Sequence, residues 1–374
     1  MINCIEINQY VVELIIVKYK FFDPAAQEVA LQELLSKTDK ELWDYRQEML
    51  NKSPQMLMNY LYYERKIDKI LRNAIIERLA KLQEVSPANP IEKPTMIISD
   101  IDNTFLSSRD PRYESKSTPY PGIRQLYDAL LHGNSTYDLP VRRNGSARAF
   151  LTARPGQPMF KNFTPLIDKM KTITSDSLGA AGIAPEKQLI LWGDFIHCLP
   201  LPGNMYKSLG KGKIANFEKF SKLYAGYQFI FFGDNGEADI DVARNLHRIA
   251  GANMSARFIH DVKGISRDKI AEYAEESIFI YTSTIDAAII ALQRELISNE
   301  QALTIATAVV NETDETAVPQ EAKSVLAFNN RLDAIISDLD RLHKISGAEQ
   351  IVELSEVIRK KYIQKPDNQS CLVM

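Results

Sequence analysis

The 374 residues can hold one large domain or two to three modest ones, and a chain that is 45% hydrophobic and 25% charged is globular rather than disordered or fibrous. A net charge of −3 gives no global basic field, so no nucleic-acid partner is expected. The three cysteines, Cys4, Cys198 and Cys371, are too few and too scattered for a disulfide framework, which favours a reducing compartment.

The N-terminal stretch "YVVELIIVKYKFF" (10–22) is interrupted by Glu13, Lys18 and Lys20 and lacks a basic leader. It reads as a buried strand or helix rather than a signal peptide. No apolar run reaches membrane-spanning length. Residues 24–85 repeat apolar positions at helical spacing, as at Ile67, Ile70, Leu71, Ile75 and Leu79, and predict two or three amphipathic helices. "SPANPIEKP" (86–94), with three prolines, breaks that pattern and reads as a linker.

From 95 the texture changes. Short apolar runs at 95–99, 147–152, 187–193, 227–233 and 256–262 are unbroken and partly β-branched or aromatic, as strands covered on both faces are. Helical stretches lie between them at 122–132, 159–171, 213–223 and 238–250. The alternation predicts an α/β, Rossmann-like parallel sheet with helices on both sides. "SIFIYTS" (277–283) reads as an added edge strand. An apolar-periodic helix is expected at 284–310, a polar break at 311–321, and two more helices at 322–344 and 348–363. The expected organisation is an N-terminal helical region (1–92), an α/β domain (93–283) and a C-terminal helical region (284–374).

In an open parallel sheet, ligands bind outside the carboxyl ends of the strands. Asp100 and Asp102 follow the first run, Thr152 ends the second, and Asp234 follows Phe229–Gly233. These types fit one job. A carboxylate can attack phosphorus and carry the phosphoryl group. A second acid two residues on points the same way along extended backbone, where it can protonate the leaving oxygen and later activate water. A hard divalent cation relieves the repulsion between acids and phosphate, while a hydroxyl and an ammonium hold the remaining oxygens.

"DIDNT" after its apolar strand, "FLTAR" and "FIFFGDNGEAD" resemble the first, second and fourth motifs of the haloacid-dehalogenase-type phosphatases. Within that superfamily, "GDNGEADIDVA" and "ARFIHDV" resemble stretches of the actin-patch-associated phosphatidate phosphatases, and "LTAR" resembles the LSAR of the lipins. The resemblance covers 95–265. It implies Asp100 as nucleophile, Asp102 as general acid/base and Thr152 as a phosphate ligand. It further implies a Mg²⁺ site of Asp100, Asp234 and the backbone carbonyl of Asp102, with Asp239 as an outer carboxylate. Lys213, opening the helix "KIANFEKFSKLY", fits the third motif, with Lys211 as the fallback. Arg154 fits either a head-group phosphate or a nearby acid. The chain departs from the actin-patch pattern at Thr152–Pro155 and at His260, which stands for an arginine. The short stretch between the first two motifs leaves room for a minimal cap only, which suits a bulky or membrane-held substrate.

"SLGKGK" (208–213) lacks the spacing of a phosphate-cradling loop and reads as a flexible loop delivering a lysine. His197-Cys198 reads as ordinary loop. The sequence closes on Cys371-Leu372-Val373-Met374, a C-a-a-X box of the farnesylated form. One such chain anchors weakly, and Arg359, Lys360, Lys361 and Lys365 add a modest basic patch. The expectation is a Mg²⁺-dependent phosphatase of a membrane lipid phosphate, most simply phosphatidate. It would sit on the cytosolic face of a eukaryotic membrane, prenylated by a farnesyltransferase, as a eukaryotic protein or a delivered bacterial effector. The alternatives are a soluble phosphoester, phosphoprotein or phosphoinositide substrate, or a lipid-binding module without turnover.

Overall fold

The computed structural model describes residues 36–363 except 53, 59–60, 63–68, 86–92, 109, 111–112, 114–117, 134–145, 158–163, 185–186, 195–204, 237 and 316–321. The 10–22 stretch, most of the 86–94 linker, His197-Cys198 and Cys371 lie outside the described residues. Helices α1 (Asp39–Lys52), α2 (Pro54–Met58) and α3 (Lys69–Ala80) precede the sheet. Its strands are β1 (Thr95–Ser99), β2 (Ala147–Gln157), β3 (Ile190–Asp194), β4 (Gln228–Asp234), β5 (Met254–His260) and β6 (Ile278–Tyr281). Among and after them come α4 (Ile123–His132), α5 (Thr164–Ala180), α6 (Met205–Leu223), α7 (Asp239–Ala250) and α8 (Arg267–Glu275). The series ends with α9 (Thr284–Gln293), α10 (Asn299–Glu315), α11 (Ala322–Ser346) and α12 (Gln350–Ile358).

The six strands form one all-parallel sheet in the order β3-β2-β1-β4-β5-β6, with β6 at the edge. The chain winds outward from β1 to β3, then crosses back to lay β4 on the other side of β1. That reversal opens a crevice at the carboxyl ends of β1 and β4, where a ligand site is expected in such sheets. Every residue of β1 is buried, as a strand covered on both faces requires.

Strand alternation sorts the core into two layers. Met96, Ile98, Leu151, Phe229 and Phe231 face one side and pack with α1, α3, α6 and α7. Ile97, Phe150, Ile230, Phe232 and Phe258 face the other and pack with α4 and α9–α12. Phe232 and Phe258 stack at 4.8 Å, and each such buried ring contributes about 2 kcal/mol. The helices before and after the sheet therefore cover its two faces. On the first face the buried Arg46 guanidinium donates from Nη1 to the carbonyls of Leu223 and Ala225, both at 3.0 Å, at the end of α6. These two bonds fix α1 to the helix that carries Lys213, while the guanidinium also lies over Trp43 of α1 itself at 4.4 Å. On the other face Gly122 (φ 74) lets α4 approach α10: a Cβ there would stand 2.5 Å from Val309 Cγ2. The Gly122 N–H donates to Glu312 Oε2 at 2.8 Å.

The elements differ from the sequence reading in several places, among them α10, which runs on to Glu315 into the expected break at 311–321. The helix expected at 213–223 begins at Met205, so "SLGKGK" is helix rather than loop. Gly210 is there for close packing, since a Cβ on it would lie 3.0 Å from the Ala238 Cβ beside α7. The helix expected at 159–171 is described from Thr164 and continues to Ala180. The single helix expected at 284–310 is two. Glu295, with φ 57, ends the first, and a capping box starts the second. In that box Ser298 N–H donates to Gln301 Oε1 at 2.7 Å, and Gln301 N–H donates to Ser298 Oγ at 3.2 Å. Thr152 does not end its strand, because β2 continues to Gln157 through an irregular register with β3 after Leu151. On α3, Ile75 and Leu79 are buried as expected, but Ile70 is 80% exposed. No helix among the described residues is long and apolar enough to cross a membrane.

Candidate active site

Asp100 follows β1 and continues its ladder, its N–H donating to the Phe232 carbonyl at 2.9 Å. Beyond it the chain folds into a tight turn. Phe105 and Leu106 N–H both donate to the Ile101 carbonyl, and Asn103 N–H donates to the Leu106 carbonyl at 2.7 Å. Asn103 takes the left-handed backbone (φ 58) this turn needs, a conformation asparagine tolerates better than most residues. Below the turn, Ser99 Oγ donates to the Asp100 carbonyl at 2.6 Å and shares a hydrogen bond with Tyr127 Oη at 2.8 Å.

Three acids meet at the crevice. Asp100, Asp234 at the end of β4 and Asp239 at the start of α7 are all buried, with carboxylate oxygens within 4.8 Å of one another. Lys213, from the middle of α6, reaches the same point. Its Nζ lies 2.9 Å from Asp100 Oδ1 and 2.6 Å from Asp239 Oδ1. Lys211, two residues earlier, is exposed. The short turn from Asp234 to Asp239 is closed by Asp234 itself, whose Oδ1 accepts the Gly236 N–H. Asp239 Oδ2 accepts the Asp234 N–H at 3.4 Å. Gly233 makes the approach possible, because a Cβ there would stand 2.7 Å from Asp239 Oδ2.

Burial pushes the Asp100 carboxyl well above the usual carboxylate range; Lys213 opposes this, while Asp239, Asp234 and Asp102 add to it. Three carboxylates against one ammonium leave the buried cluster short of positive charge. An all-oxygen donor set of this kind fits a hard divalent cation, so Asp100, Asp234 and Asp239 could hold a metal ion.

The Asp102 side chain is not part of that cluster; the expectation for Asp102 concerns its backbone carbonyl alone. Its carboxylate is gripped by Arg154, Nη2 to Oδ1 at 2.7 Å and Nε to Oδ2 at 3.1 Å. Such a two-point grip fixes orientation as well as charge. Arg154 Nη1 also donates to Thr174 Oγ1 on α5 at 2.7 Å. Of the two readings left open for Arg154, its contacts are those with an acid. Thr152 is buried, and its Oγ1 accepts the Arg154 N–H at 3.1 Å. Because Ser99 pairs with Phe150, Thr152 sits on β2 beside the turn that follows Asp100.

The sequence reading treats His260 only as a departure from a motif, yet its buried ring donates from Nδ1 to the Asn103 carbonyl at 2.8 Å. His260 ends β5, paired with Asp234 at the same carboxyl end of the sheet as the other site residues. Asn235 was also missed. Its Oδ1 accepts Val262 N–H at 2.8 Å and its Nδ2 donates to Asp261 Oδ1 at 2.6 Å, tying together the turns after β4 and β5. No family model, no curated protein and no solved structure matches the chain.

Proposed function

We propose that the chain is a divalent-metal-dependent phosphatase of the haloacid-dehalogenase type, acting on a membrane lipid phosphate, with phosphatidate hydrolysed to diacylglycerol as the leading substrate. The observation that carries this reading is the meeting of Asp100, Asp234 and Asp239 around the buried Lys213, with Asp102 two residues beyond Asp100 and held separately by Arg154. That separation gives two acids two different environments, as a nucleophile and a proton carrier need.

In the proposed reaction an Asp100 carboxylate oxygen attacks phosphorus as the bond from phosphorus to the lipid oxygen breaks, and Asp102 gives that oxygen its proton. Asp102 then takes a proton from water as the water oxygen attacks phosphorus. The bond to Asp100 breaks, and inorganic phosphate and the free carboxylate are restored. Lys213 balances charge on Asp100 throughout, and Thr152 and Arg154 hold phosphate oxygens. Phosphate competing for the Arg154 guanidinium would loosen its grip on Asp102 as substrate arrives. Mg²⁺, held by Asp100, Asp234 and the Asp102 backbone carbonyl with Asp239 behind them, would neutralise charge between nucleophile and phosphate.

The short stretch between the turn and β2 supports a bulky substrate. In the same reading Cys371 is a farnesylation site that holds the protein to the cytosolic face of a membrane, checked by the mass of its C-terminal peptide from eukaryotic cells. The deciding experiment is phosphate release from phosphatidate in mixed micelles, with Mg²⁺ or EDTA, for wild type, Asp100→Asn and Asp102→Asn. Metal-dependent release lost in both variants supports the reading. Turnover of a small aryl phosphate alone keeps the chemistry and overturns the lipid. Silence on both overturns the enzyme and favours a binding module.

A further inference from the structure

His260 sits on β5, and β4 lies between that strand and β1, so contact with the turn after β1 requires its side chain to reach across a strand. It does so from a fixed pose. The ring is 2% exposed, stacks on Tyr281 at 5.0 Å with 13° between planes, and meets the edge of Tyr120 at 4.6 Å. Tyr120 is itself held, its hydroxyl donating to Asp110 Oδ2 at 3.0 Å. Since a carbonyl can only accept, the contact with Asn103 O requires the proton on Nδ1. The acceptor belongs to the residue that follows Asp102 and carries the positive φ of the turn. The main chain of His260 serves the other acid-bearing turn, its carbonyl accepting the Asn235 N–H at 3.1 Å.

We propose that His260 is a positioning residue: its Nδ1–H bond to the Asn103 carbonyl, set by the Tyr120–Tyr281 slot, locks the turn that aims Asp102. In its catalytic consequence the proposal rests on the phosphatase reading. A left-handed residue persists where surrounding bonds hold it, and an acid displaced by a fraction of an ångström transfers protons poorly.

Two substitutions separate donation from packing. His260→Phe keeps a ring for the tyrosine slot and removes the donor. His260→Asn keeps an N–H at the position of Nδ1. For His260→Phe, kcat on the working substrate should fall about 10- to 100-fold. Its KM should stay within about twofold, because Thr152, on β2, lies outside this turn. His260→Asn should recover most of the loss. Hydrogen exchange in the peptide spanning 100–107 should quicken in His260→Phe and return toward wild type in His260→Asn. Should His260→Phe not fold, His260→Gln, whose amide lies one bond too far, takes its place with the same expectations. Wild-type kcat in the donorless variant overturns the proposal. So does equal impairment of His260→Asn, or a loss confined to KM. The exchange arm needs no activity, so a wild type without Asp100-dependent hydrolysis refutes the phosphatase reading while exchange still decides the role of His260.

Discussion

Replacing Lys213 with methionine tests whether this lysine balances the acid cluster, because it removes the charge while nearly keeping the volume. The ammonium lies 2.6 Å from Asp239 and 2.9 Å from Asp100, and the three side chains are 2%, 1% and 7% exposed, so solvent screens little of the interaction. Removing one partner from a buried pair costs about 3–5 kcal/mol, most of it from the charges left behind. Here two carboxylates lose their shared partner and a third, Asp234, stays close by. Urea unfolding of Lys213→Met at neutral pH in EDTA should therefore show a deficit of about 3–5 kcal/mol against wild type. If the acids hold Mg²⁺ as proposed, millimolar Mg²⁺ should stabilise the variant more than the wild type, since a ligand of the folded site stabilises in proportion to its affinity and the variant site is more negative. A deficit below about 1 kcal/mol in EDTA, or one that Mg²⁺ leaves unchanged, would refute the charge-balance argument.

Gly233→Ala places a methyl 2.7 Å from Asp239 Cβ and 2.9 Å from Phe231 Cζ. Such overpacking costs about 1–3 kcal/mol and moves Asp239, so in the proposed reading the Mg²⁺ concentration for half-activation should rise roughly tenfold. A variant with unchanged Mg²⁺ dependence would mean that Asp239 does not serve the metal. Asp338 shares Arg341 with Asp286 and accepts a hydrogen bond from Ser283. Burial, then Asp286, pushes its carboxyl up from 3.8 to about 6, against Ser283 and Arg341. The folded chain thus keeps a proton that the unfolded chain loses, so this contribution is full below about pH 4 and lost as pH rises through about 6. Asp338→Asn should match wild type near pH 4 and be more stable by roughly 2–3 kcal/mol above pH 7. An unchanged slope of stability against pH would sink the assignment.

The sheet was legible because its signals are local. Five apolar runs in the order of an α/β chain became β1–β5, and the 277–283 run became the edge strand β6. The acids at 100 and 234 were legible because they break such runs where a parallel sheet binds its ligands. The helix carrying Lys213 was misread at its start for a physical reason: Gly210 and Gly212 lower helix propensity, and only packing against α7 makes a small residue there an advantage. The split between α9 and α10 was written locally, in the Ser298–Gln301 capping box, and was overlooked under a continuous apolar period.

What the sequence determined by itself is the order of elements, the two-faced burial of the strands, and the residue types gathered at their carboxyl ends. Those follow from periodicity and from the rule that an open parallel sheet binds its ligands at the carboxyl ends of its strands. Only the tertiary structure decided which groups meet. It gave Lys213 to Asp100 and Asp239, Arg154 to Asp102 across 52 residues, and His260 to Asn103 across 157. Such contacts have no local period to betray them. They depend on strand register, on glycines that let backbones close to contact, and on which rotamer a buried side chain is left with once the core is filled.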